Sequence, residues 1–531
     1  MPPSLPTSPK FRPVLDPEFL PAVLWNRAYR ALVARDPGAR PFALALIRAD
    51  GTASVHRDRL LAPAHPGAGH TLRYVERLLK FLLWQKGGCQ VLVAGADEIA
   101  AALAASYHPA GARAFDHAFM GMKVYGRPFS LTACPLDGLP AADTSTLAMG
   151  RHLDGCRIGF DLGGSDRKAA ALIDGQVVYS EEIAWNPYFQ SDPAYHLAGV
   201  QDTLARAAAH LPRVDAIGGS AAGVYVNNEV RVASLFRGVP AAAFEQHIRR
   251  MFFTLQARWG GVPFEVANDG EVTALAGAMA INDDAVLGVS LGTSLAGGYV
   301  TPAGNITPWL NELAFAPVDY RAGAPCDEWS GDAGCGVQYF SQQGVGRLAG
   351  LAGFGFPAGQ PLPEQLLAVQ AAMAAGDPRA RAVYESIGVS FGYAIAHYAD
   401  FYELRHLLAL GRVMSGPGGE LLLAQATAVL RGEFPALAEA LRLHTPDEKD
   451  KRHGQAVAAA SQPARKKYRP CASPTPTLTF MCPSPASTRT PRWPAPRTSA
   501  WARTRTTSRS WPITASPSAS AAGTNGFPAW S

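Results

Sequence analysis

Twice in this chain an apolar strand runs directly into a turn made only of residues too small to fill it. The first case is Ile158-Gly159-Phe160-Asp161-Leu162-Gly163-Gly164-Ser165. The second is Val289-Ser290-Leu291-Gly292-Thr293-Ser294-Leu295, continuing through Ala296-Gly297-Gly298-Tyr299. Glycine lets backbone come close to an anion and aim N–H groups at it, and Thr and Ser add hydroxyl donors. A carboxylate at the strand end, Asp161, can take up the Mg²⁺ that accompanies a nucleotide. Either turn alone is also what an ordinary tight hairpin looks like. Their repetition is what limits the fold.

Around these turns the pattern alternates strands with helices, which indicates an α/β chain with mixed sheets. From Phe42 an apolar strand meets an Asp50-Gly51 turn, a strong hairpin signal. Leu72, Val75, Leu79 and Leu82 share a face and predict a helix over 71–86, stopped by Gly87-Gly88. A buried strand follows at 90–94. The same order of hairpin, helix and strand recurs over 158–219. Asp50 to Asp174 and Gly95 to Gly219 are both 124 positions apart. The first region is therefore a candidate degenerate copy of the second, although this element order is common enough to match by chance. Residues 262–300 read strand, helix, strand and hairpin. Helices are predicted over 335–350, 380–405 and 420–430, with a strand over 407–411.

Two further motifs carry chemistry. Val266-Ala267-Asn268-Asp269-Gly270-Glu271 places Asn-Asp at a strand end before an Ala-rich helix. Capping alone accounts for such a pair. A carboxylate there can also accept the proton of a substrate hydroxyl during phosphoryl transfer. Leu410-Gly411-Arg412-Val413-Met414-Ser415-Gly416-Pro417-Gly418-Gly419 leaves a strand on small residues just before a helix, where a flat ligand such as adenine can lie on backbone.

The order of the four motifs is that of sugar kinases of the actin-like superfamily, and it resembles in particular the ROK family (repressors, open reading frames and kinases). Ser220-Ala221-Ala222-Gly223-Val224 is similar to that family's Ser-x-Pro-Gly turn, and Ala233-Ser234-Leu235-Phe236 to its sugar-side segment. The resemblance covers about 155–460. It implies a two-lobed actin-like ATPase fold, ribonuclease H-like in each lobe, that uses ATP and Mg²⁺ to phosphorylate a hexose-type sugar. By the same resemblance Asp269 is the catalytic base, and Asn268 and Glu312 contact the sugar. Asp161, Gly163 and Gly164 form the first phosphate motif, with Asp161 toward Mg²⁺. Gly292, Thr293 and Ser294 form the second, and Gly416, Gly418 and Gly419 the adenosine loop. A non-catalytic sugar-sensing or regulatory protein is the other activity the family offers, and a homodimer is its possible assembly.

The chain departs from the family at the zinc motif. Asn311-Glu312-Leu313-Ala314-Phe315 carries Phe315 where the family has a zinc-binding His. Glu328-Trp329-Ser330-Gly331-Asp332-Ala333-Gly334-Cys335 keeps only the last cysteine, and Val337 replaces a sugar-binding Glu. One thiolate with Cys326 nearby does not make a four-ligand site, so no structural zinc is expected. The acidic residues Asp319, Asp327, Glu328 and Asp332 read either as a solvated loop or as a replacement sugar contact.

Composition narrows the partners. Of 531 residues 48% are hydrophobic and 17% charged, enough for two to four domains. The net charge of +5 misleads, because residues 461–531 hold ten Lys/Arg and no acid, leaving an acidic body. Residues 1–150 show strands and no basic recognition helix, so no nucleic-acid partner is expected. They also lack an Asp-x-Gly-Gly turn after their first strand, so no second nucleotide site is expected there. The apolar run Phe81-Leu82-Leu83-Trp84 is too short to cross a bilayer. Seven scattered cysteines and no visible leader point to a reducing cytoplasm. The expected divisions are a disordered 1–20, an N-terminal α/β region over 21–150, a kinase-like region over 151–461, and a tail over 462–531. That tail is rich in Ser, Thr, Pro, Ala and Arg. It reads as disordered, or as a GC-rich gene translated out of frame past about Gln462.

Overall fold

The computed structural model describes residues 5–142, 150–445 and 448–463. The expectations for the tail from 464 onward lie outside the described residues.

Strand composition separates centre from edge in the N-terminal sheet. β1 (Arg40–Ile47) is apolar on both faces and central, whereas β2 (Ala53–Leu60) alternates and lies at the edge. Gly51 turns between them at φ 87°, while the Asp50 carboxylate accepts from the Thr52 N–H at 3.0 Å. β3 (Gln90–Ala94) and β4 (Ser130–Cys134) complete the order β2-β1-β3-β4. The helices Ala22–Arg35 and Asp97–Ser106, neither of them expected, flank it together with Thr71–Lys86.

The second sheet is built from β5 (Cys156–Leu162), β6 (Asp166–Ile173), β7 (Gln176–Ala184), β8 (Ala216–Ala221) and the later β11 (Phe264–Asn268). A small hairpin, β9 (Val224–Val226) and β10 (Glu229–Val232), lies between β8 and β11 in the chain. The order is β11-β8-β5-β6-β7, with β5, β6 and β7 antiparallel and β8 and β11 parallel to β5. The third sheet repeats it. β12 (Val286–Leu291) pairs antiparallel with β13 (Leu295–Val300) and parallel with β14 (His406–Leu410), which pairs parallel with β15 (Arg442–His444). Ile306 bridges Val300 at the outer edge of β13, where the repeat would carry its third strand. Two sheets of this order are the duplicated ribonuclease H-like pattern expected for the fold.

The N-terminal sheet is not a third copy. A copy would run β3 parallel to β1, as β8 runs parallel to β5, but β1 and β3 are antiparallel. The equal spacing reflects a shared element order without shared topology.

Residues 5–20 also depart from the disorder expected of them. They form an ordered extended strap. Asp16, 6% exposed, accepts from Arg347 at 2.9 Å and from Arg321 at 2.5 Å, and Phe19 is buried. The backbone N–H groups of Leu15 and Leu20 donate to Ser386 Oγ and Asp319 Oδ1, each at 3.0 Å. A Pro-rich segment has no periodicity of its own, so its order comes from these distant partners.

The helix Glu448–Ala460 packs onto the second sheet. A Cβ on Gly159 would collide with the Ala456 carbonyl, and one on Gly218 with the Ala459 carbonyl, so both strands need glycine there. The fold runs past the expected boundary at residue 461. Ser461 and Gln462 are fully buried, His152 N–H donates to Ser461 O at 3.0 Å, and Gln462 Nε2 donates to Gly219 O at 3.2 Å. The fully buried Arg157 donates through Nη1 to Pro463 O at 2.7 Å. A chain ending at Pro463 keeps all of these contacts. One ending at Ala460 should lose about 1.5–3 kcal/mol from the Arg157 bond alone. Thermal melts of the two truncations check this.

Candidate active site

Ligands of open α/β sheets gather at the carboxyl ends of parallel strands, and here those ends carry the motif residues. Asp161, 6% exposed near the end of β5, accepts from Ser220 Oγ at 2.6 Å. Directly across on β6, Lys168 places Nζ 3.6 Å from Asp161 Oδ2 and 3.6 Å from Asp166 Oδ1. Burial raises the pKa of Asp161 in spite of these partners. Lys168 was missed in the sequence. Its signal is positional, since register alone sets it opposite Asp161.

At the end of β11 Asn268 caps the helix Asp269–Ile281, its Oδ1 accepting from Gly270 N–H at 2.7 Å. Its Nδ2 donates to Gly223 O at 2.6 Å. Asp269 opens the helix, and its pKa is pushed up to about 6, first by burial and then by the charge of Asp161. The two aspartates are thus electrostatic neighbours.

Asn268 and Glu312 line one cavity of about 280 Å³, together with Glu271, Tyr225 and Trp309. Glu312 is pushed up to about 8 by burial, with the charge of Asp269 adding to it. Glu271 also reaches about 8 through burial, and accepts from Asn311 Nδ2 and from Tyr299 N–H. Asn311 adopts φ 49°, a left-handed conformation that Asn tolerates, and its Oδ1 accepts from Tyr402 Oη at 2.8 Å. The N–H groups of Asn311 and Glu312 donate to Gln85 O and Trp84 O, each at 3.0 Å. Those carbonyls belong to the last turn of the helix Thr71–Lys86, where no intrahelical partner is left. The N-terminal region therefore fixes the backbone that carries Glu312.

The phosphate and adenosine turns are less uniform. Gly292 N–H donates to Ser294 O at 2.9 Å, and Gly292, Thr293 and Ser294 are all half-buried at the end of β12. Gly163 O accepts from Trp185 Nε1 at 2.7 Å, and the Tyr188 hydroxyl faces Gly164 so closely that a Cβ there would overlap it. Gly416, after β14, is exposed at φ 72° with open space around it. Gly418 and Gly419 are buried, where a Cβ would strike the Tyr384 ring and the Met414 carbonyl. These two glycines seat the helix Pro417–Glu433, which leaves Gly416 as the one open to a ligand among the three.

At the family's zinc motif other residues fill the space. Phe315 is buried and its ring lies 4.2 Å from that of Trp84. Asp332, 4% exposed, accepts from Arg77 and pairs with Lys80 Nζ at 3.3 Å and with Arg113. Asp319 is buried against Tyr339 Oη at 2.6 Å, and Asp327 accepts from Ser330 N–H at 2.7 Å. Only Glu328 is exposed. Three of the four acidic residues are thus held in buried contacts and not in a solvated loop, and none of the four lines the cavity.

Two lobes, each with a ribonuclease H-like sheet, and carboxylates at the carboxyl ends of the first define the two-lobed actin-like ATPase fold. No family model and no curated protein matches the chain. Among solved structures it is similar to ROK-family proteins. One is the ROK hexokinase of Thermus thermophilus, at 20% identity over 57% of this chain and 96% of that one, TM-score 0.46. Another is a ROK family glucokinase from Streptomyces griseus in complex with glucose and AMPPNP, at 20% identity over 58% and 98%, TM-score 0.41. A third is a ROK family transcriptional regulator homologous to the E. coli MLC protein, at 20% identity over 58% and 79%, TM-score 0.46. No described helix is long and apolar enough to cross a membrane.

Proposed function

We propose that the protein is an ATP-dependent kinase for a sugar hydroxyl, related to the ROK family, with Asp269 as general base. The observation that carries this is the pair of Asp161 and Asp269 at the strand ends, beside a cavity lined by Asn268 and Glu312. A base with a pKa of about 6 is ionised at neutral pH yet close enough to it to accept a proton effectively. Glu312, near 8, is protonated there and can both donate to and accept from a sugar hydroxyl. Asn268 keeps one amide hydrogen for the substrate, because among the described residues Gly223 alone accepts from its amide. With the ring so held, Asp269 takes the proton of the attacking hydroxyl.

The other half of the reaction falls to the turns. Gly163 and Gly292 spend their N–H groups on Asp166 O and Ser294 O inside the turns, so the backbone N–H groups of Gly164, Thr293 and Ser294, with Lys168, offer positive potential to the triphosphate, and Gly416 leaves room for the base. Asp161 suits a nucleotide-borne Mg²⁺. One oxygen is engaged by Ser220 and the other has only a lysine 3.6 Å away, so a buried carboxylate remains underneutralised. When bound, that ion supplies neutralisation of the phosphate charge. Asp161 would hold it, with Ser220 fixing the carboxylate plane.

A binder without turnover is the second reading, favoured by Val337 and Phe315 standing at two of the family's sugar and zinc positions. Both readings require nucleotide binding. Calorimetry should find one Mg-ATP site per chain, and Asp161→Asn should weaken Mg-ATP roughly 10-fold or more while sparing metal-free ATP, since each 1.4 kcal/mol is a decade. Absence of nucleotide binding to the parent protein would remove both.

A further inference from the structure

The wall of the cavity opposite the strand ends comes from the N-terminal region, through Arg48, Asp50 and Tyr125. Arg48 directly follows β1 at the hairpin and is 6% exposed. Its guanidinium donates only to hydroxyls, Thr52 Oγ1 and Ser54 Oγ, each at 3.1 Å. Its buried Nε has no acceptor among the described residues, and no described carboxylate lies within 4.0 Å of the group. A lysine adjoins it. Lys86 Nζ lies 2.8 Å from the centroid of the Trp309 ring, which lines the same cavity. Burial and then the charge of Arg48 push the Lys86 amine down to about 6 against the pull of Glu403, so Lys86 is largely neutral at neutral pH and Arg48 carries the charge. The other guanidinium of the cavity, Arg231, is balanced by Glu229 at 2.8 Å. Asp50, the acid nearest in sequence, is turned back onto Thr52 N–H and Oγ1 at 3.0 and 2.7 Å. The hairpin thus delivers a nearly buried cation to the cavity without an anion to match it, an arrangement that costs free energy until an anion arrives.

We propose that Arg48 receives an anionic substituent of the sugar, a carboxylate or a phosphate, and that the N-terminal hairpin is the specificity element of this pocket. The sugar ring rests on the kinase reading; the anion rests on Arg48 and its surroundings. Glucuronate and glucose 6-phosphate separate the two sources of charge, and glucose is the neutral control. Calorimetry on the full-length protein should show at least one anionic sugar binding 10-fold or more tighter than glucose. Arg48→Gln should remove that preference, and Arg48→Lys should keep part of it because charge is retained while the forked geometry is lost. Melting curves of both variants report on folding. If Arg48→Gln does not fold, the parent's preference still decides. The proposal is overturned if glucose binds as tightly as both anionic sugars, if neither anionic sugar binds, or if a folded Arg48→Gln keeps the preference. Arg48-dependent binding without phosphoryl transfer would sink the kinase reading and leave the anion site standing. Turnover of glucose with no anion preference would do the reverse.

Discussion

Asp269→Asn is expected to lower sugar phosphorylation about 10²–10⁴-fold, the usual worth of a positioned general base. Asparagine keeps the size of the side chain and can still accept from the Gly270 N–H, so the helix start is undisturbed. Stability should hold or rise slightly. The pKa of Asp269 is raised in the fold, which means that its ionised form is disfavoured there at neutral pH. A neutral side chain removes both that cost and the repulsion from Asp161. The expected pattern is therefore an unchanged or higher melting temperature, a nucleotide Kd near the parent value, and turnover close to loss. Phosphorylation at the parental rate would show that another group takes the proton.

Lys80→Ala is expected to produce the largest loss of stability. Lys80 is fully buried, with Nζ 2.8 and 2.9 Å from the two oxygens of Asp116 and 3.3 Å from Asp332. Burial opposes its charge, but the Asp116 and Asp332 carboxylates outweigh it and hold the amine above its ordinary value. A lysine so raised contributes its stability throughout the range below its unfolded pKa, which includes neutral pH. Removing it leaves Asp116 with the Trp84 indole N–H at 2.8 Å as its remaining side-chain partner, and leaves Asp332 to two arginines. Breaking one member of a buried ion network costs about 3–5 kcal/mol. The helix Thr71–Lys86 carries both Lys80 and the carbonyls that hold Glu312, so substrate binding should weaken along with stability. Denaturant melts read the first effect and sugar calorimetry the second. A melt superimposable on the parent's would mean that the network adds nothing.

The parts of this site that were legible in the sequence are those encoded within one segment. The helix over 71–86 and the strand over 90–94 were set by local periodicity and by Gly87-Gly88, and the structure gives Thr71–Lys86 and Gln90–Ala94. The turns after β5 and β12, and the Asn268 cap, are likewise local. What could not be read depends on register or on distant partners. Lys168 faces Asp161 only because β5 and β6 pair in one register. Arg48, Tyr125 and Trp309 reach one cavity from three separate segments. The strap over 5–20 owes its order to Arg321, Arg347 and Ser386, more than 300 residues away. Spacing carries no information on strand direction, which is why an equal separation of 124 positions suggested a copy that the antiparallel β3 rules out. Glycine spacing was also ambiguous at 416–419, because the same residue type serves open backbone at Gly416 and close helix packing at Gly418 and Gly419.

The central claim is that this site transfers a phosphoryl group to a sugar. The most direct measurement follows ADP release from Mg-ATP by the full-length protein, with and without each sugar of a panel of neutral and anionic hexoses, with phosphorus NMR on the product. Slow release without sugar is expected, with release stimulated by at least one sugar and a phosphate ester on that sugar in equal amount. Nucleotide binding with no sugar-stimulated ADP release and no phosphate ester, across the whole panel, would contradict it.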